Sequence, residues 1–392
     1  MSEWKKVKLG ELYEVHNGLS KGRQFFGTGF PFLTFSNVFN NWFLPEQLEA
    51  LVQTTDKERE ACSIKAGDVF ITRTSETMDE LGMSSVALRD YPNATYNGFT
   101  KRLRPITDDV IPEYIGYYLR SPKFRGKFMA FSTMTTRASL ANADLLGMEV
   151  ELPSKEEQHR IASFLSRYDS IIENYQKQIK LLEEAAQRLY KEWFVDLHFP
   201  GYENTKIIDG VPKGWEKKPV DTIYSIKYGK NLSTKLISEN GKFPVYGANG
   251  VIGYYDKANC NEQVVLITSR GNGSGDVLMT YHKDAFITNN SFIVSPIEDY
   301  SYCQLPFTYQ FLKNANFRAV RTGAAQPQLT NQSIHTVDVV LPSKDVIIDY
   351  CDKASYNNKK IILLKNQIRL LTEARDRLLP KLMSDEISMF IY

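Results

Sequence analysis

The sequence carries almost no excess charge. Forty-eight Lys and Arg face 46 Asp and Glu, leaving +2 over 392 residues. A uniformly basic coat is excluded, so nucleic-acid contact must come from local patches. Cysteine is scarce: Cys62, Cys260, Cys303 and Cys351 are scattered, with no CxxC pair. This argues against structural zinc and a disulfide scaffold, and a reducing cytoplasm is the expected location. No run of about 18 apolar residues occurs, so no membrane-spanning helix is expected. The opening residues lack the apolar stretch of a signal peptide. Walker A and HExxH patterns are missing. His16, His159, His198, His282 and His335 are dispersed, so no metal site is expected. What remains is 42% hydrophobic and 24% charged, ordinary globular matter long enough for two to four domains.

An internal repeat organises the chain. Residues 150–155 recur at 339–344, and 181–189 recur at 370–378, both at an offset of 189. The same offset pairs Leu140 with Leu329 and Asn142 with Asn331. Upstream the match loosens, and Trp4 aligns with Trp215 at offset 211. A constant offset across separate strings is hard to obtain by coincidence. The period is too long for a solenoid and fits a duplicated domain.

Each repeat ends in a helical pattern. Ile161, Tyr168, Tyr175, Leu182 and Leu189 recur every seven residues, with Leu165, Ile172, Ile179, Ala186 and Trp193 four later. All ten are apolar, a sustained heptad seam. The second copy reads Tyr350, Asn357, Leu364, Leu371, Leu378 with Ala354, Ile361, Ile368, Arg375, Leu382. Asn357 and Arg375 interrupt it, and polar seam residues fix register. Pro153 and Pro342 precede the helix starts, and Pro380 is expected to kink or end the second helix. A helix of about 40 residues is roughly 60 Å long. One alternative is that each stripe lies on its own domain's core. Its narrowness, length and duplication favour antiparallel pairing of the two helices.

The globular parts read as mixed strands, loops and short helices. Strands are expected at 68–72, 264–268 and 291–294, and helices at 113–119 and 307–312. The glycine-rich run 271–275 superficially resembles a phosphate loop. Asp276 and a strand-like segment follow it, so a nucleotide fold is not indicated. Its exposed amides suit a DNA backbone.

Charge is distributed unevenly. Lys101, Arg102, Arg104, Arg120, Lys123, Arg125, Lys127 and Arg137 face only Asp108, Asp109 and Glu113. The matching stretch 300–337 has no acidic residue and carries Lys313, Arg318 and Arg321. Such patches can neutralise phosphates. Polar loops lie nearby at equivalent places. One pair is 73–77, with Arg73, Ser75 and Thr77, and 269–272, with Ser269, Arg270 and Asn272. The other is 135–139, with Thr136, Arg137 and Ser139, and 324–328, with Gln326 and Gln328. Arginine binds guanine bidentately, and Asn and Gln bind adenine. Equivalent loops with different side chains are what two readers of different sequences require.

Leu152-Pro153-Ser154-Lys155-Glu156-Glu157-Gln158 leading into Ile161-Ala162, and Arg188-Leu189-Tyr190-Lys191-Glu192-Trp193-Phe194-Val195-Asp196 with His198-Phe199-Pro200-Gly201, resemble the specificity subunit of type I restriction-modification enzymes. Asp209-Gly210-Val211-Pro212-Lys213-Gly214-Trp215 is similar to that family's link into its second half. Residues 244–250, with Asn249, resemble stretches of its recognition domains, as do Thr288-Asn289-Asn290 and 323–329. Asn249, Asn289 and Asn290 thereby join the candidate DNA contacts. One departure is Lys344-Asp345-Val346-Ile347-Ile348, which stands where the first repeat has Lys155-Glu156-Glu157-Gln158-His159.

The resemblance implies two mixed α/β target recognition domains, at 1–152 and 215–340. A spacer helix at 153–198, a linker at 199–214, and a second spacer helix with a C-terminal tail at 341–392 make up the rest, with a pseudo-two-fold axis relating the halves. Each domain would read half of a split duplex DNA target. The helices would set the spacing and dock two methyltransferase subunits that use S-adenosylmethionine. Restriction-translocase subunits would use ATP and Mg. The chain itself would be non-catalytic and bind no cofactor. Two other classes compete: a coiled-coil adaptor with protein-binding ends, and a self-sufficient nuclease or methyltransferase, which the missing motifs disfavour.

Overall fold

The computed structural model describes residues 4–75, 80–131, 138–139, 141–323 and 326–384. The chain divides into two compact units, residues 1–173 with 369–392, and residues 174–368. Each unit holds one globular lobe and one half of each long helix.

In the first unit, strand Lys5–Lys8 pairs antiparallel with Glu149–Leu152 and closes the lobe. A four-stranded antiparallel sheet runs in the order Tyr13–Asn17, Thr100–Pro105, Val69–Thr72, Ser84–Val86. A three-stranded mixed sheet is centred on Phe26–Leu33, which pairs antiparallel with Leu51–Val52 and parallel with Thr95–Tyr96. Helix Pro112–Arg120 buries Tyr114, Ile115, Tyr117, Tyr118 and Leu119 in the core. Proline in its first turn lacks only an N–H that would be unsatisfied anyway.

The second unit repeats this plan. Glu216–Pro219 pairs with Asp338–Leu341. The four-stranded sheet runs Tyr224–Tyr228, Ser291–Pro296, Val265–Thr268, Val277–Met279. The three-stranded sheet is centred on Phe243–Gly247, antiparallel to Gly250–Tyr255 and parallel to Phe286–Ile287. Helix Leu305–Asn314 takes the place of Pro112–Arg120. The duplication seen in scattered strings is thus a duplication of strand order and of strand sense.

The long helices span Lys155–Phe194 and Lys344–Leu382, starting 189 residues apart. Ser154 caps the first, its Oγ accepting from the Glu157 N–H at 3.3 Å. Acidic Glu156 and Glu157 lie where the helix dipole favours negative charge. The second helix starts in the same place despite its different first turn. Gln158 is buried, accepting from the Ile111 N–H and donating to the Asp109 and Pro153 carbonyls. Ile347, the residue 189 later, is buried among apolar neighbours instead. Pro380 sits inside the last turn, and the helix ends at Leu382.

The seam is used within each unit. In the first, Ile161, Ala162 and Leu165 share a core with Leu379, Leu382 and Met383. Further along, Arg375 Nη1 donates to Asp169 Oδ1 at 2.6 Å and its guanidinium lies over Trp42. Asp169 also accepts from the Tyr117 hydroxyl. In the second unit, Ile179 packs with Ile361 and Leu364, flanked by Tyr175, Leu182 and Ile368. Further along, Tyr190, Trp193 and Phe194 meet Tyr350. In both units rising numbers on one helix meet falling numbers on the other, so the pairing is antiparallel. The alternative placement is also present: each helix begins on its own lobe's core. The remaining seam residues Tyr168, Ile172, Leu189, Leu371 and Leu378 are buried or half-buried.

Candidate nucleic-acid interface

In the second unit the candidates gather where strand Val265–Thr268 runs out. Ser269 N donates to the Asn290 carbonyl at 2.8 Å, and Arg270 is bridged antiparallel to Gln328. Thr268 Oγ1 donates to the Ala248 carbonyl at 2.7 Å, tying in the turn that carries Asn249. The glycine run then turns tightly. Gly271 and Gly275 have φ of +83° and +90°, a backbone that favours glycine. A Cβ on Gly273 would lie 3.1 Å from Asn249 Oδ1. Arg318 Nε donates to Asp276 Oδ1 at 2.9 Å, and Arg321 reaches the Asn272 carbonyl at 3.5 Å. Asn249, Arg270, Asn272, Arg318, Gln326 and Gln328 are exposed at this edge, with Asn289, Asn290 and Arg321 half-buried.

The first unit builds the equivalent edge. Strand Thr74–Ser75 pairs with Ala138–Ser139, joining the two loops that sequence placed in parallel with 269–272 and 324–328. Arg73 N donates to the Phe99 carbonyl at 2.9 Å, as Ser269 N does to Asn290. Arg73 Nη1 donates to Asn17 Oδ1 at 3.3 Å, while its buried Nε has no partner among the described residues. Beside it lies a cavity of about 320 Å³ lined by Lys21, Phe26, Phe35, Asn97 and Phe99 among others. Thr77, Thr136 and Arg137 lie outside the described residues, and Ser75 and Ser139 are placed by backbone alone.

Part of the expected basic surface is interior. Lys101 and Arg102 are only 4% and 2% exposed, because strand Thr100–Pro105 is central in its sheet and covered on both faces. Arg102 donates to the Ser63 carbonyl at 2.8 Å and lies over the Tyr96 ring. Lys101 donates to Asn142 Oδ1, and burial, with the Arg73 charge near, pushes its ammonium below the usual value. Neither is a surface phosphate contact. The neighbouring cations are engaged too. Arg104 pairs with Asp68 at 2.7 Å, and Lys123 and Lys127 both pair with Glu151. Arg120 donates to the Ser84, Val38, Phe39 and Asn41 carbonyls, and burial lowers its pKa to about 10. In the second unit Ser269 is buried, its hydroxyl donating to the Asn289 carbonyl at 3.1 Å, so it shapes the edge and does not reach outward. The acid-free stretch receives a carboxylate from outside, at Asp276.

Sequence reasoning missed Asn17, Asn97 and Phe99. The equivalent backbone bonds place Asn97-Gly98-Phe99 opposite Thr288-Asn289-Asn290, a run whose resemblance to recognition domains is the available signal. Among the described residues no cluster of three or more His, Cys, Asp or Glu is arranged to hold a metal ion. No described helix is long and apolar enough to cross a membrane.

Two units of one topology, each ending in a polar loop edge and each sharing two long helices, define a duplicated recognition protein. The family model described as "Type I restriction modification DNA specificity domain" matches residues 1–184 and 212–362, and the chain belongs to that family. Its role is recognition of a DNA target. The chain is 26% identical to the type I restriction enzyme MjaIX specificity subunit of Methanocaldococcus jannaschii, over 98% of this chain and 94% of that one. It is 22% identical to the HindI specificity subunit of Haemophilus influenzae, over 99% and 100%. In fold it resembles the crystal structure of the type I restriction-modification S subunit from M. genitalium, with a TM-score of 0.56, 19% identity, and 97% and 96% of the two chains covered.

Proposed function

We propose that each unit seats its loop edge in the major groove of duplex DNA and reads its own half of a split target. The observation that carries this is the repeated loop pairing, 74–75 with 138–139 and 270 with 328, which brings candidate base readers together at the same place in both units. Arg270, Asn249, Asn272, Asn289, Asn290, Gln326 and Gln328 offer the donors and acceptors that base edges require. Arg318 and Arg321 grip phosphates and set register. The paired helices hold the half-sites at a set spacing and dock two methyltransferase subunits. Those subunits use S-adenosylmethionine, and restriction-translocase subunits use ATP and Mg. The chain itself binds duplex DNA and carries out no chemical step.

The test is co-expression with cognate methyltransferase subunits and mapping of modified adenines. A bipartite motif, with duplex affinity that falls steeply with salt, is expected. Absence of sequence-selective DNA binding would reject the reading and favour a protein-binding adaptor.

A further inference from the structure

The two loop edges differ in one respect. The backbone bond Arg73 N to Phe99 O occupies the place of Ser269 N to Asn290 O. The parallel bridge Leu19 to Asn97 likewise occupies the place of Lys230 to Thr288. Phe99 therefore stands where the second unit has Asn290. It is a phenylalanine 59% exposed beside polar loops, with Phe26, 41% exposed, lining the same cavity. Leaving aromatic carbon in water at such a place has a cost unless a partner covers it. The nearby cation Lys21 is matched by Glu58 at 2.8 Å, whereas Arg73 keeps a buried N–H without a partner among the described residues. An apolar ring next to a guanidinium with donors to spare suits a base pair that presents a methyl group beside an acceptor. In the major groove only thymine shows a methyl group.

Resting on the proposed function, we propose that Phe99 makes the first unit selective for a thymine through the base's 5-methyl group, while Asn290 at the equivalent place reads by hydrogen bonding. The test uses the full chain assembled with its methyltransferase subunits and its mapped target. Replacing that thymine by uracil removes one methyl group and lowers wild-type affinity about fourfold. Phe99→Ala lowers affinity for thymine DNA about tenfold and abolishes the distinction between thymine and uracil. Phe99→Leu, which keeps apolar surface, retains the distinction. A wild-type complex indifferent to uracil at every thymine of both half-sites overturns the proposal. So does a Phe99→Ala complex that still discriminates fully. Both of those results leave sequence-selective binding intact, whereas failure of the proposed function would show as no sequence preference in the wild type.

Discussion

Arg270 and Arg102 show how differently two arginines of one sequence are used. Arg270 is exposed and its backbone is bridged to Gln328, so its side chain is available to DNA. Arg270→Ala should cost about 1–3 kcal/mol in binding and relax one base position of the target. Uniform weakening across sequences would make it a phosphate contact instead. Arg102 is buried against the Ser63 carbonyl and the Tyr96 ring. Arg102→Ala should lower thermal stability by about 1–3 kcal/mol while leaving the salt slope of DNA binding unchanged. Calorimetry and a salt titration together check that. Glu58 adds a pH-dependent residue. Hydrogen bonds from Lys21 and then from the Thr55 N–H hold its carboxyl down to about 2. A carboxylate lowered in the folded state stabilises above its unfolded pKa and loses that contribution as pH falls toward the folded value. The melting temperature of Glu58→Gln should lie below wild type at neutral pH and converge with it between about pH 5 and pH 2.

The long helices behave as shared elements. Each starts on its own lobe and ends in the core of the other unit's lobe, which is why a single heptad stripe serves both purposes. Arg375, the polar interruption of the second seam, is matched by Asp169 and covered by Trp42. Asp169→Ala should therefore destabilise by about 1–3 kcal/mol, since it leaves a largely buried guanidinium with Asp376 as its remaining carboxylate. Adding Arg375→Met should recover part of the loss. Equal destabilisation by the single and double variants, in denaturant titrations, would show that the pair contributes nothing specific. The aromatic set Tyr190, Trp193, Phe194, Phe199 and Trp215 packs as one cluster with Tyr350 and Phe307. The aromatic residues among those that carried the family resemblance are thus packed into a core at a helix end.

At the scale of the molecule, the proposed spacer is open to direct measurement. One heptad inserted between Gln176 and Lys180, with a matched heptad between Leu364 and Ile368, adds about 10 Å of helix and nearly preserves rotation. The gap between half-sites in mapped methylation should grow by about three base pairs. An unchanged gap would show that helix length does not set it.

Much of the organisation could be read along the chain. Heptads, the 189-residue offset and the apolar strands are local or periodic signals, written by which side chains must leave water. The sites were less legible. Lys101 and Arg102 looked like surface charge because a list of residues does not say that their strand is central and covered on both faces. Nor does such a list say that Phe99, just before that strand, is left exposed. Whether a side chain faces water or protein is decided by the sheet neighbours of its strand, and those neighbours come from distant parts of the chain. The duplication, the paired helices and the class of protein follow from the order of residues alone. Which cations are free, which loops meet and which ring is left uncovered are settled by folding, because each depends on contacts between residues far apart in the chain.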